Sequence, residues 1–190
     1  MMTETAPVTS PRREELLERA YQYVLDRGLA AMSLRPLATE IGSSPRVLLF
    51  LFGSKDGLVR ALLARARADE LAFLARIPIE EETSLERVGM EVWRWLVARE
   101  HRGLLTLWTE SYARSLIEPD GPWAGFAAGT VEDWLALLAE GQPARERRTA
   151  DGEAQRTLVL AVLRGALLDL LATGDVMRTT RAVERALRSA

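Results

Sequence analysis

The chain of 190 residues contains no cysteine. That excludes disulfides, thiolate metal sites and cysteine nucleophiles. It has one histidine, His101, so no pair of histidines can hold a metal and a histidine-based catalytic triad has little to build on. No uncharged apolar run approaches the ~20 residues of a membrane span. The opening Met1-Met2-Thr3-Glu4-Thr5-Ala6-Pro7 lacks the basic and apolar regions of a signal peptide, so a cytoplasmic protein is expected. No segment alternates apolar and polar residues beside turn signals, which leaves no candidate strand. No internal repeat is visible. With no nucleophile–base pair and no metal constellation, neither an enzyme nor a cofactor is expected.

What is present is helix. Hydrophobic residues make up 48% and charged residues 27%, ordinary values for a soluble globular chain long enough to bury a core. The net charge of -2 is unevenly spread. Residues 1–67 hold ten Lys/Arg against seven Asp/Glu, and residues 68–190 hold fifteen Arg against twenty Asp/Glu. A mildly basic N-terminal part on an acidic remainder suits one module that meets a polyanion and another that does not.

The most informative segment runs from Ser33 to Leu58. Ser33 stands before an apolar stripe of Leu34, Leu37, Ala38 and Ile41 at helical spacing. Gly42 follows, where a left-handed residue can end the helix. Ser44 can then cap a second helix with Pro45 at its first position. Leu48 and Phe52 lie one turn apart and would hold this helix against the first. Two short helices joined by a glycine turn can place one of them in the DNA major groove. A longer helix over 12–27, with Leu16, Leu17, Ala20, Tyr21, Val24 and Leu25 on one face, precedes them.

Residues Arg12 to Leu63 resemble the DNA-binding domain of the TetR family of transcriptional regulators. The resemblance rests on Asp26-Arg27-Gly28, on Ser33-Leu34-Arg35-Pro36-Leu37-Ala38 followed by Ile41-Gly42, and on Phe52-Gly53-Ser54-Lys55-Asp56-Gly57-Leu58. It implies DNA contacts at Arg35, Ser44, Pro45, Arg46, Val47, Leu49, Leu51 and Lys55. Arg46 is the one charged side chain of the second short helix and suits a bidentate guanine contact. Arg35 and Lys55 suit phosphates. Arg12 and Arg13 are placed to reach DNA from an N-terminal arm. The family usually has polar residues where Leu49 and Leu51 stand. Here Val47 to Phe52 is apolar throughout. Contact with thymine methyls, extra packing, and weakened or lost DNA affinity are three readings of that departure.

The remainder reads as helices over about 54–75, 84–99, 103–117, 123–138, 153–173 and 175–188. The acidic run Glu80-Glu81-Glu82 breaks the chain, and Gly141 to Gly152 reads as a mobile loop. All five tryptophans fall between Trp93 and Trp134. The resemblance implies a site for a small apolar ligand in this region, with Trp108, Tyr112, Met90, Trp93 and Phe126 as candidate lining residues and Arg102, Glu110 and Arg114 as candidate polar groups. Aromatics at helical spacing equally fill cores. Trp93 and Trp95 are two apart and cannot both face inward on one stripe. The helix Leu158 to Ala172 is apolar nearly all round and must be covered on both sides. Gly165 and Ala166 allow a partner helix to approach, so a homodimer is expected.

The expected architecture is all-α. A disordered arm (1–11) leads into a three-helix helix-turn-helix domain (12–57), followed by a helical ligand-binding and dimerisation domain (58–190). The expected function is a transcriptional regulator, a repressor released by a small apolar ligand. Its partners are double-stranded DNA with a palindromic operator, the ligand and a second copy, with no membrane. The alternative is a helical small-molecule carrier that has lost DNA binding.

Overall fold

Hydroxyl and carboxylate side chains set most of the helix starts. Ser10 accepts a hydrogen bond from the Arg13 N–H, Ser44 from Val47, Ser54 from Gly57, Ser84 from Arg87, Thr149 from Gly152 and Asp175 from Arg178. Each such cap contributes about 1 kcal/mol. The computed structural model describes residues 10–77 and 84–189. Its helices are α1 (Pro11–Arg27), α2 (Leu34–Glu40), α3 (Pro45–Phe52), α4 (Lys55–Leu74), α5 (Leu85–Val97), α6 (Arg102–Ile117), α7 (Phe126–Glu140), α8 (Ala150–Thr173) and α9 (Val176–Leu187). A single 3₁₀ turn, Arg99–His101, joins α5 to α6. Among the described residues there is no strand. None of the helices is long and apolar enough to cross a membrane.

Two apolar clusters organise the chain. The first gathers α1, α2, α3 and the first half of α4, with Leu107 of α6, Trp123 and Phe126 against them. The second gathers α5, α7, α8 and α9 with Leu74 at the far end of α4. Residues Leu58 to Ala66, beyond the expected boundary at 57, pack with the helix-turn-helix core. Trp108 packs against both clusters.

Several local expectations change. Ser10 and Pro11 are not arm but the cap and first residue of α1. Residues 1–9 and the acidic run at 80–82 lie outside the described residues. Ser33 precedes α2 but makes no side-chain cap bond. The α7 helix begins at Phe126 rather than Trp123, after a turn in which Gly125 adopts φ 73°. The stretch after Gly141 is a corner held by side-chain hydrogen bonds. Gln142 is buried there, donating to the Gly152 carbonyl at 3.0 Å and accepting from Arg156 at 2.7 Å.

Candidate nucleic-acid interface and ligand cavity

The turn between α2 and α3 is built by Gly42, which adopts φ 66°, a conformation that L side chains rarely take. Ser44 and Pro45 then start α3 directly. Leu48 and Phe52 of α3 are buried, and Leu51 is half-buried against the same cluster. The opposite face is uncovered. Arg46 is exposed there, beside Val47 and Leu49, which are 38% and 40% exposed, and Phe50, which is 85% exposed. The apolar run therefore splits, with Leu51 packing inward and Val47, Leu49 and Phe50 facing solvent. Arg35 on α2 and Lys55 at the start of α4 are also exposed. None of Arg35, Arg46 and Lys55 forms an ion pair with another described residue. Three unpaired cations around an uncovered helix suit a polyanion, and the free N–H groups at the starts of α3 and α4 add to that field.

Phe50 was not among the expected contact residues, although its place in the apolar run was plain. Arg12 and Arg13 do not extend from a free arm. They stand in the first turn of α1, where Arg12 pairs with Glu15 at 2.7 Å and the Arg13 guanidinium lies 4.8 Å from the Phe52 ring centre.

A second feature lies between α4, α5, α6, α7 and α8. Here Ala66, Glu70, Trp95, Leu104, Trp108, Phe126, Trp134, Leu163, Arg164 and Leu167 are among the residues that enclose an apolar cavity. The void in which a water-sized sphere can move is only about 30 Å³, room for roughly two waters. A larger guest must part the walls. Trp108 and Phe126 line the cavity. Tyr112 does not; it stacks on Trp108 at 4.9 Å and accepts a hydrogen bond from Arg164 at 3.1 Å. Trp93 and Met90 lie elsewhere. Trp93 is buried on the side of α5 that faces α9, its Nε1 donating to Thr180 at 2.9 Å. Met90 is half-buried against the second cluster. Trp95, two residues from Trp93, faces the cavity instead.

The cavity's two charged residues, Glu70 and Arg164, were not among the expected ones. Glu70 is 3% exposed and accepts a hydrogen bond from Trp134 Nε1. Burial pushes its carboxyl up to about 7, against the pull of the Trp134 bond. Arg164 on α8 lies over the Trp108 and Tyr112 rings, 5.7 and 5.0 Å from their centres. Both residues carry a sequence signal. Glu70 falls four residues after Ala66 on the apolar stripe of α4. Arg164 is the sole charge between Thr157 and Asp169 in an otherwise apolar helix.

The expected polar groups act outside this cavity. Glu110 of α6 accepts the Leu29 N–H at 3.0 Å, tying α6 to the loop after α1. Arg102 donates to the Leu171 carbonyl at 2.7 Å, closing the end of α8. Arg114 pairs with Glu118 at 2.8 Å. His101 stacks on Trp95 with ring centres 4.4 Å apart.

A third feature is the outer face of α8. Ala154, Leu158, Ala161, Gly165, Leu168 and Ala172 are all exposed. Their spacing alternates four and three residues, the pattern of a helix seam that wants a partner. A Cβ added at Gly165 would meet nothing within 4 Å. Among the described residues, no group of three His, Asp or Glu is placed to hold a metal ion.

No family model matches the chain. The HTH-type transcriptional regulator BetI of Rhizobium meliloti (strain 1021) is 27% identical over 143 residues, 72% of this chain and 55% of that protein. The chain thus spans about half the length of that relative. A TetR-family transcriptional regulator from Rhodococcus sp. superposes with a TM-score of 0.75 at 17% identity, covering 95% of this chain and 98% of that one. The multidrug binding protein EbrR, solved with imidazole, superposes with a TM-score of 0.71 at 24% identity, covering 99% of this chain and 96% of that one. EbrR has also been solved with proflavin and with ethidium. The chain has the fold of the TetR-family regulators.

Proposed function

We propose that this chain is a homodimeric, ligand-responsive DNA-binding regulator of transcription acting in the cytoplasm, a repressor released when a small, largely apolar molecule enters the cavity. The observation that carries the reading is the state of α3. It is capped, held from behind by Leu48 and Phe52, and left uncovered on the face that bears Arg46. Arg46 reads a guanine edge, and Arg35 and Lys55 hold phosphates. Ser44 and Pro45 bring the helix start to the backbone, while Val47, Leu49 and Phe50 meet thymine methyls. The domain order supports a helix-turn-helix domain over 12–57 and a sensing and dimerisation domain over 58–190, sharing α4.

The ligand part rests on a cavity that lies against α6, and on EbrR, a multidrug binding protein of the same fold. Trp108 and Phe126 would touch the guest directly, and Tyr112 would act through Trp108 and Arg164. A guest that parts α6 from α8 moves the helix whose Glu110 holds the loop after α1. That shifts the two recognition helices of a dimer relative to each other. The alternative, a ligand carrier without DNA binding, is favoured by one observation, the exposed Phe50.

Binding to a palindrome upstream of the gene, measured at several salt concentrations, separates the two. Half-site centres about 34–36 Å apart are expected. Arg46→Ala costs about 1–3 kcal/mol and relaxes one base pair per half-site. Lys55→Ala weakens all sequences alike and lowers the salt slope by about one per contact. Affinity and salt slope unchanged in both variants would leave the carrier.

A further inference from the structure

The residues around the cavity are unbalanced in their hydrogen bonding, although the cavity wall itself is almost wholly apolar. Two of the residues that line it bury an N–H without an acceptor, Nη2 of Arg164 and Nε1 of Trp108. Arg164 spends Nη1 on the Tyr112 hydroxyl and forms no ion pair with another described residue. The one carboxylate that lines the cavity, Glu70, is already engaged by Trp134. Its burial favours the protonated form, so it offers Arg164 only part of a counter-charge.

Each class of guest meets this inventory differently. A cation meets the guanidinium as a like charge and brings more donors to a site that has too many. A purely apolar guest leaves both N–H groups unsatisfied, which is costly away from water. A guest with an anionic acceptor satisfies both and supplies the missing counter-charge. We propose that the cavity binds a small amphipathic carboxylic acid, its carboxylate accepting from Arg164 Nη2 and Trp108 Nε1 and its apolar body lying against Phe126, Trp134, Leu163 and Leu167. This rests on the reading of the cavity as a ligand site. It replaces an unspecified apolar ligand with a stated head group. The head-group donors come from α6 and α8, the two helices that the guest must part.

The test is isothermal titration calorimetry on the full chain with three molecules of one body: octanoate, octanol and octylammonium. Octanoate should bind at least about tenfold tighter than octanol, the scale of a charge-assisted hydrogen bond. Octylammonium should bind more weakly than octanol. Arg164→Gln should abolish the preference for octanoate by costing octanoate far more than octanol, while Arg164→Lys keeps part of it. Trp108→Phe keeps an aromatic ring and removes the donor, and should cost octanoate several-fold more than it costs octanol. It serves as the independent variant if Arg164→Gln does not fold. Equal affinity for octanoate and octanol, a preference for octylammonium, binding of none of the three, or a preference that survives both Arg164→Gln and Trp108→Phe overturns the proposal. None of these outcomes touches operator binding by the free protein. Conversely, octanoate selectivity in a protein that ignores its operator would sink the regulator reading and leave this assignment standing.

Discussion

Gly165→Ala should change sign with protein concentration. A glycine inside a helix costs about 1 kcal/mol relative to alanine. Gly165 lies in mid-α8, and a Cβ there meets no atom within 4 Å in the protomer. Nothing inside one chain offsets that cost. The single protomer should therefore gain about 1 kcal/mol from the substitution, or roughly 2–4 °C in Tm for a chain of this size. The dimer should lose. If the α8 seam packs on its two-fold copy, each added methyl group meets the partner where the backbones come closest, and overpacking costs about 1–3 kcal/mol per site. Two sites per dimer should weaken the dimer at least about tenfold. Sedimentation equilibrium reads the dissociation constant, and thermal denaturation above and below it reads the sign. Gly165→Glu should give monomers outright, because it buries two like charges face to face. The reasoning fails if Gly165→Ala stabilises at every concentration with the dimer constant unchanged, or if the wild type sediments as a monomer at micromolar concentration.

Three further outcomes are expected. A Cβ at Gly103 of α6 would stand 2.5 Å from the Leu25 carbonyl oxygen of α1. Gly103→Ala thus sets about 1–3 kcal/mol of overpacking against about 1 kcal/mol of helix propensity, and should lower Tm and alter operator affinity together. Glu70 faces Trp134 and Asp133 of α7, Arg67 of its own helix and Arg164 of α8, and its carboxyl is raised from 4.5 to about 7. Between those values the folded chain keeps a proton that the unfolded chain has released. Stability from this group is therefore full below about 4.5, falls by about 1.4 kcal/mol per pH unit, and levels off above about 7; denaturant titrations of Glu70→Gln should lack that slope. Gln142→Leu strips Arg156 and the Gly152 carbonyl of a buried partner and should cost about 1–3 kcal/mol, read as a lower Tm with operator affinity intact.

The helix-turn-helix was legible because its signals are local. Gly42, Ser44 and Pro45 act within one turn of where they stand, and Leu48 and Phe52 need only each other's spacing. Composition misled where a cap outweighed it. Ser10-Pro11 sits in a Thr/Pro/Ser-rich start yet opens α1, and Thr149 opens α8 inside a polar stretch read as loop. The cavity was less legible because periodicity says which residues share a face, not which neighbour meets that face. It separated Trp93 from Trp95 but did not say that Trp93 turns to α9 and Trp95 to the cavity. Apolar patterning also points to aromatics and away from Glu70 and Arg164. Their sequence signal was that each breaks an apolar stripe, and a charge at a core position is costly unless something answers it.

The position of α4 explains why a site so far from α3 can govern it on the proposed reading. Ala66 belongs at once to the helix-turn-helix core and to the cavity wall, and Glu70 follows it by one turn. The same helix is clamped to α1. The Tyr21 hydroxyl donates to Asp69 at 2.9 Å, Arg65 donates to Glu18 at 3.0 Å, and Arg65 also pairs with Asp69. With α2 and α3 packed on that pair, the four N-terminal helices share one core. From Glu70 back to Lys55 is about 22 Å at 1.5 Å per residue, so a tilt of about 5° at the cavity moves the start of α4 by about 2 Å. Opposite shifts in two protomers change the recognition-helix separation by about 4 Å, against a groove spacing of about 34–36 Å. The proposed guest has to part walls between which the centre of a water-sized sphere now has only about 30 Å³ in which to move. A cavity that small, bounded by a rigid lever, turns the volume of the guest into displacement. Had the cavity been preformed and roomy, the same guest would bind without moving α4 and the operator would not register it.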